Sequence, residues 1–269
     1  MSDTRKSLKA VVLAAGLGRR LRPITDSLPK ALCPVGTQTL VDRAIERASP
    51  LVEAVAVNVH AGRNQMLRHL SGQSVHVSVE DEILGTAGAV ANLRSWIDGS
   101  DCLVLNADAY LTDDLSRLVC NWEGTTIRLL VSYDTLRPDF HGMWRFAGAS
   151  LLPRSSVLAL PVGPSDLYSR CWNIALAEQR VEFIPTDGVF IDCGRPEDLL
   201  AANLVASSGG NVVQPGAEVL GRIDECLVLA GARVAAEESL TRAIRLPSGE
   251  TLLPFASSLL EVAFKGRSD

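Results

Sequence analysis

The densest run of side chains able to do chemistry lies between Leu13 and Lys30, which reads LAAGLGRRLRPITDSLPK. Gly16 and Gly18 fall where an apolar stretch ends, and glycines there let backbone N–H groups approach phosphate oxygens with no Cβ in the way. Arg19, Arg20 and Arg22 follow, and Pro29-Lys30 closes the run a short loop later. This is a surface for an anionic ligand on a chain whose formal charge is −5. It is not a dinucleotide fingerprint, because the third glycine is missing and Arg20, Arg22 and Pro23 fill that ground. It is not a Walker A loop either, since no Gly-Lys-Ser/Thr follows. Lysine is scarce: only Lys6, Lys9, Lys30 and Lys265 occur, so Lys30 stands alone across nearly the whole body of the protein. A chain that prefers arginine and keeps one internal lysine raises the question of what that lysine touches.

The elements that must hold this run alternate. Leu8 to Ala15 is an apolar strand feeding a loop, Leu40 to Ala48 has helical spacing, and Val52 to Val59 is β-branched and strand-like. Gly62 to Leu70 reads as helix, Val75 to Val79 as strand, Thr86 to Trp96 as helix and Cys102 to Leu105 as strand. Leu111 to Val119 reads as helix and Thr125 to Tyr133 as a further strand. Such β-α alternation predicts an α/β fold, a doubly wound, mostly parallel sheet covered by helices on both faces. Ligands in such sheets bind beyond the carboxyl ends of the strands, where the loops after Ala15, Val79 and Leu105 fall.

From Arg137 to Pro164 the pattern loosens around Phe140, Trp144 and Phe146. A helix is expected over Leu167 to Gln179, short strands at Val181 to Ile184 and Val189 to Ile191, and a helix from Pro196 to Ala206. Beyond Ser207 the segments PGAEV, AGARV and PSGET recur about every 15 to 17 residues with apolar stretches between. The repeat resembles a few degenerate turns of a left-handed hexapeptide β-helix, the alternative being an irregular tail with small-residue turns. The expected division is therefore a catalytic domain over 1–208 and a short β-helix-like segment over 209–269, which buries its apolar strip against itself or against a second copy in a homodimer.

Composition removes several classes. With 26 basic against 31 acidic residues and no basic cluster, a nucleic-acid binder is not expected. No apolar run approaches eighteen residues and the N-terminus is polar, so neither a membrane span nor a signal core is read and the expected location is the cytoplasm. The six cysteines form no C-x-x-C pair and are expected to be mostly small buried hydrophobes.

The segment from Gly16 to Lys30 closely resembles the signature G-x-G-x-R-x-x-P-x-T-x-x-x-P-K of the sugar-1-phosphate nucleotidyltransferases, among them the mannose-1-phosphate guanylyltransferase type. Those enzymes join a nucleoside triphosphate to a sugar-1-phosphate and release pyrophosphate on a Rossmann-like core. The resemblance implies that Arg20 holds the β- and γ-phosphates and that Lys30 touches the phosphate at the reaction centre. Leu13, Ala14, Ala15, Gly16, Gly18 and Arg19 would lie along the nucleotide. EILGTAGA looks like the family's nucleobase loop, which brings in Glu82, Gly85, Thr86 and Gly88. LVLNAD resembles the strand whose terminal aspartate, here Asp108, binds magnesium beside the acceptor, and FIDCGRPED resembles the turn whose aspartate, here Asp192, is the other Mg2+ ligand. Alone, each would be read as a cap or turn residue. The Leu-Gly-Thr-Ala-Gly form implies GTP first, with UTP and dTTP behind.

The chain also departs from the family. Arg19 stands at a position usually small and hydroxylic, either adding a phosphate contact or pointing to solvent, and Ala107 replaces a common glycine. Relatives carry a lysine between the metal aspartates that grips the sugar phosphate, and none lies between Lys30 and Lys265. Arg137 or Arg145 could replace it, since guanidinium binds phosphate well. Gly148 would lie on the same acceptor side, with His141 and Trp144 either shaping the pocket or purely structural. The shortened acceptor region leaves two rivals: a cytidylyltransferase acting on a small alcohol phosphate or phosphonate, and a catalytically silent subunit that binds a nucleotide-sugar.

Overall fold

The computed structural model describes residues 7–254, so Lys6, Lys265 and the end of the repeat segment lie outside the described residues. The chain forms two compact units, Met1–Leu17 with Val41–Phe190, and Gly18–Leu40 with Ile191–Asp269.

The first unit is built on a seven-stranded sheet. Its strands are β1 (Leu8–Leu13), β2 (Ala54–Val59), β3 (His76–Val79), β4 (Asp101–Asn106), β5 (Ile127–Tyr133), β6 (Trp144–Leu152) and β7 (Val181–Pro185). In space they run β7-β5-β6-β4-β1-β2-β3. The pairs β1/β2, β1/β4, β2/β3 and β5/β7 are parallel, while β6 runs antiparallel to both β4 and β5. Helices α1 (Leu40–Ala48), α2 (Arg63–Leu70) and α3 (Gly85–Asn92) fill the connections. Ala10, Val11 and Val12 are all fully buried, as are Leu103, Val104 and Leu105. Successive strand residues face opposite ways, so these runs require cover on both faces of the sheet. On one face Val11, Val104, Leu129 and Val131 pack with Ala87, Val90 and Ala91 of α3 and with Trp172.

Three expectations change. The helix expected over Thr86 to Trp96 is two helices, because α3 stops at Asn92 and a second short turn, Arg94–Ile97, follows. The helix expected from Leu111 shrinks to Ser116–Val119, behind a short strand at Ala109–Leu111. There the Asp114 carboxylate accepts from the Ser116 N–H at 2.8 Å and from its hydroxyl, a side-chain turn that competes with an earlier helix start. The loosened stretch after Arg137 contains the nine-residue strand β6, whose second half, Ala147 to Leu152, is buried between two neighbours and shows no alternation.

The second unit carries three single 3-10 turns, Arg19–Leu21, Ile24–Asp26 and Lys30–Leu32, then a hairpin of Pro34–Val35 against Gln38–Thr39. Helix α4 (Pro196–Ala206) opens with proline at its first position and Glu197 and Asp198 in its first turn, which suits a helix N-terminus. Its Asn203, 1% exposed, donates to the carbonyls of Pro34 and Leu199 and accepts from the Gly36 N–H, all at 2.9 Å. Gln214 donates to the Gly36 carbonyl at 2.8 Å. After α4, short strands stack in parallel: Val212–Val213 on Leu227–Val228 on Ile244–Arg245, Glu218–Val219 on Arg233–Val234, and Arg222–Asp224 on Ser239–Thr241. Val228, Ala232 and Val234 form the apolar strip between them, flanked by Val219, Ile223 and Leu240. Thr251–Leu252 then folds back antiparallel on Ile244–Arg245.

No helix among the described residues is long and apolar enough to cross a membrane. None of the six cysteines forms a disulfide; five are buried, as expected for most of them, and Cys120 is exposed. Burial pushes the Cys33 and Cys102 thiols up to about 12 and Cys171 to about 11, so these three are inert packing groups.

Candidate active site

Three loops leave the carboxyl edge of the parallel strands in the first unit, the position where such sheets bind ligands. The first follows β1. The Ala14 N–H donates to Asn58 Oδ1 at 2.7 Å, which fixes the start of the turn. Gly16 is exposed, and a Cβ built on it would meet no atom within 4 Å. No internal packing explains that glycine, whereas close approach of a ligand to its backbone would. Leu13 packs on the sheet core and Ala14 and Ala15 are buried.

The second loop precedes α3. Glu82 is exposed, while Gly85, Thr86 and Gly88 lie in the first turns of the helix. Gly85 has φ +70°, and its Cβ would sit 2.5 Å from the Ser165 carbonyl oxygen; a Cβ on Gly88 would fall on the Gly163 carbonyl. Thr86 Oγ1 accepts from the Leu167 N–H at 2.8 Å. The glycines read as room for a base are thus also required by the 163–167 segment packed against the helix start. Between these loops, Asn58 Nδ2 donates to Glu80 Oε1 at 2.8 Å, and Glu80 Oε2 accepts from the Leu84 N–H at 3.3 Å. Asn58 is 3% and Glu80 4% exposed. Sequence reasoning passed over both; the signal was an asparagine inside the apolar AVAVNV strand and a glutamate directly after HVSV.

The third loop follows β4. Leu13 and Asn106 are register partners and the Ala107 N–H donates to the Leu13 carbonyl at 3.0 Å, so the Asp108 turn begins beside the end of β1. Asp108 is half-buried. Gly148 of β6, at φ +80°, lies against this turn: its Cβ would come within 2.5 Å of Ala109 Cβ. Arg137 and Arg145 both face Asp134, at 3.5 and 3.6 Å, and Arg145 also lies over the Phe190 ring. Burial acts to raise the Asp134 carboxyl, but backbone N–H groups of Arg137 and Leu136 and the two guanidinium charges outweigh it and hold it below the usual range. Trp144 packs edge-on to Tyr133 and His141 edge-on to Phe183, so both have structural contacts.

In the second unit the structure brings Arg20, Lys30 and Asp192 together. Arg20 Nη2 lies 3.8 Å from Asp192 Oδ2 and Lys30 Nζ 3.9 Å from Asp192 Oδ1. The Lys30 side chain is 10% exposed, whereas Arg20 at 62% reaches into solvent. Gly194 leaves room beside this cluster: a Cβ there would stand 2.9 Å from Arg20 Nη2 and 3.1 Å from Asp192 Oδ1. Gly18 is in the left-handed region at φ +64°, and a Cβ on it would stand 2.9 Å from Thr25 Cγ2 and 3.0 Å from Lys30 Cβ. Arg19 is exposed, and Arg22 pairs with Asp26 at 3.0 Å.

No group of three or more His, Cys, Asp or Glu side chains able to hold a metal occurs among the described residues.

Residues 9–138, just under half of the chain, match the family model described as nucleotidyl transferase. Among curated proteins it is 23% identical over 259 residues to the bifunctional protein GlmU of Methanocaldococcus jannaschii, covering 87% of this chain and 61% of that one. It is 27% identical to the N-acetylmuramate alpha-1-phosphate uridylyltransferase of Caulobacter vibrioides, over 72% of this chain and 94% of that one. The chain thus spans about three fifths of the length of the Methanocaldococcus relative. In fold it is similar to a Thermus thermophilus protein described as mannose-1-phosphate geranyltransferase, with TM-score 0.70, 19% identity, and 97% of this chain and 100% of that one covered.

Proposed function

We propose that this chain is a sugar-1-phosphate nucleotidyltransferase, joining a nucleoside triphosphate to a sugar-1-phosphate to give a nucleotide-sugar and pyrophosphate. The observation that carries the reading is the Asp192 cluster. A glycine cradle lets one exposed guanidinium and one nearly buried ammonium share a carboxylate, at separations too long for direct hydrogen bonds. Two cations so placed present positive charge to a phosphate.

In this reading a phosphate oxygen of the sugar-1-phosphate attacks the α-phosphorus. The bond to the bridging oxygen breaks, and pyrophosphate leaves with the electron pair on the opposite side. The nucleophile is already an anion and the leaving group is good, so the protein's task is alignment and charge neutralisation rather than proton transfer. Arg20 draws charge onto the departing β- and γ-phosphates, and Lys30 stabilises the crowded α-phosphoryl. The backbone from Ala14 to Gly18 lies along the nucleotide, with the open space at Gly16 as its approach. Glu82, Gly85, Thr86 and Gly88 border the base, and Arg137 or Arg145 with Gly148 receives the acceptor phosphate. Asp108 and Asp192 would hold Mg2+, which when bound would supply positive charge against the phosphates.

GTP is the proposed donor, with UTP the competitor that the uridylyltransferase relative supports. We place the enzyme in the cytoplasm as a homodimer, with catalytic residues in 1–208 and the 209–269 stack as a left-handed hexapeptide β-helix; its parallel ladders at a 15-residue offset in Glu218↔Arg233 support this. Neither the small-acceptor reading nor the silent-binder reading is favoured by these relatives. The test is a pyrophosphate-release assay crossing GTP, UTP, dTTP, CTP and ATP with a panel of sugar-1-phosphates and small alcohol phosphates. Magnesium-dependent release with a sugar-1-phosphate is expected; release only with alcohol phosphates, or none with any pair, would overturn the reading.

A further inference from the structure

The geometry points to Asn58 and Glu80 as positioning residues that set the distance between the two loops holding the nucleotide, an inference that rests on the nucleotidyl-transfer reading above. The two residues lie on successive parallel strands at the carboxyl edge of the sheet, Asn58 in β2 and Glu80 one residue past β3. Together they form one line of hydrogen bonds. It runs from the Ala14 N–H to Asn58 Oδ1 at 2.7 Å, from Asn58 Nδ2 to Glu80 Oε1 at 2.8 Å, and from the Leu84 N–H to Glu80 Oε2 at 3.3 Å. One end is the turn that leads to Gly16, and the other is the residue before Gly85. The Glu80 main chain is pinned as well, its N–H donating to the Val59 carbonyl at 2.8 Å. A buried carboxylate is costly unless each oxygen has a donor. A core that only needed filling would be served by an apolar pair here. The polar pair instead ties two loop amides to fixed points on one sheet edge, and a nucleoside lying between the loops would meet walls of set separation.

The direction of each bond provides a test that loss of packing cannot mimic. Asn58→Asp keeps the acceptor for Ala14 but sets two carboxylates against each other. Glu80→Gln satisfies one neighbour with its oxygen and opposes the other donor with its NH2. The double variant N58D/E80Q reverses the middle bond and restores all three. Its carboxylate, now at position 58, accepts from the Ala14 N–H and from the amide now at position 80, whose oxygen accepts from the Leu84 N–H. The experiment measures, for wild type, both single variants and the double, the Kd for each of the five magnesium triphosphates by calorimetry. Amide exchange at Ala14 and Leu84, kcat, the acceptor KM and Tm are followed in parallel. Each single variant is expected to weaken the best triphosphate by about tenfold or more, with kcat at saturation within about threefold. The double is expected to bind within about threefold of wild type, with exchange at both amides slowed again. Native triphosphate affinity in folded single variants, or a double no tighter than the worse single, overturns the inference while leaving nucleotidyl transfer standing. Wild-type triphosphate binding without turnover of any sugar-1-phosphate instead removes the transfer reading, and the Kd series still decides the positioning role. No triphosphate binding by the wild type overturns both.

Discussion

An aspartate just past a strand ordinarily caps a turn or helix, and asparagine caps nearly as well. Asp108 lies two residues past β4 and Asp192 ends the short strand Phe190–Asp192, so substitution separates a cap from a metal ligand. Asparagine keeps the shape but removes the charge that holds magnesium against water. Asp108→Asn and Asp192→Asn are each expected to fold and to lose at least about a hundredfold in kcat, roughly 2.7 kcal/mol at the barrier. The double variant should lose much less than the product, since both residues serve one ion in this reading. Steady-state kinetics over a magnesium titration check this, and near-normal turnover by a folded single variant returns that residue to the capping role. At the acceptor side, Arg→Ala at position 137 or 145 should raise the sugar-phosphate KM and spare triphosphate binding. A lost charge-assisted pair typically costs about 2–3 kcal/mol. Arg145 is the more constrained, with 18% of its side chain exposed against 54% for Arg137, so it offers a better-ordered fork to phosphate. An unchanged acceptor KM in both variants places the phosphate elsewhere. The signature residues Arg20 and Lys30 were legible because their spacing is local. Asn58 and Glu80 were not, because their roles exist only once three strands lie side by side.

Helix α3 shows how a glycine pattern can serve two masters. GTAG was read as room for a base, yet the carbonyls of Ser165 and Gly163 lie where Cβ atoms at positions 85 and 88 would go. Gly88→Ala should therefore destabilise the protein, by about 1–3 kcal/mol for an overpacked site. Gly16→Ala, with open space at its Cβ, should leave stability within about 0.5 kcal/mol, as for most surface changes. The expected contrast is a lower Tm for the first, and a weakened triphosphate Kd at native Tm for the second. Chemical denaturation with ligand titration checks both. Most elements from Leu8 to Val79 matched the hydrophobic period of their residues, because each strand and helix there is punctuated by loops. β6 escaped because a strand enclosed by β4 and β5 has no polar face to alternate with, and Gly148 and a register shift between Leu129 and Val131 break its regularity.

At the scale of the whole molecule, the repeat segment belongs with the Gly18–Leu40 loop, not merely after the last helix. Asn203 and Gln214 both bond to the Gly36 turn, and the stacked strands continue from there. Removing residues after Ser208 is expected to lower Tm or assembly more than it alters nucleotide affinity. Calorimetric melting and sedimentation of the truncated chain check this, and a truncated protein with unchanged melting and assembly would count against a structural role for the segment. By itself the sequence determined the alternating elements of the first unit, the Gly16–Lys30 run and the period of the tail. These are properties of short windows: apolar spacing, glycine placement and repeat length. Only the tertiary structure decided that β6 enters the sheet antiparallel between β4 and β5, that Gly194 opens a cradle for Arg20 against Asp192, and that Asn58 joins Ala14 to Glu80. Each of those depends on partners far apart in the chain, chosen by burial and hydrogen-bond satisfaction across the whole packed unit, which no local window encodes.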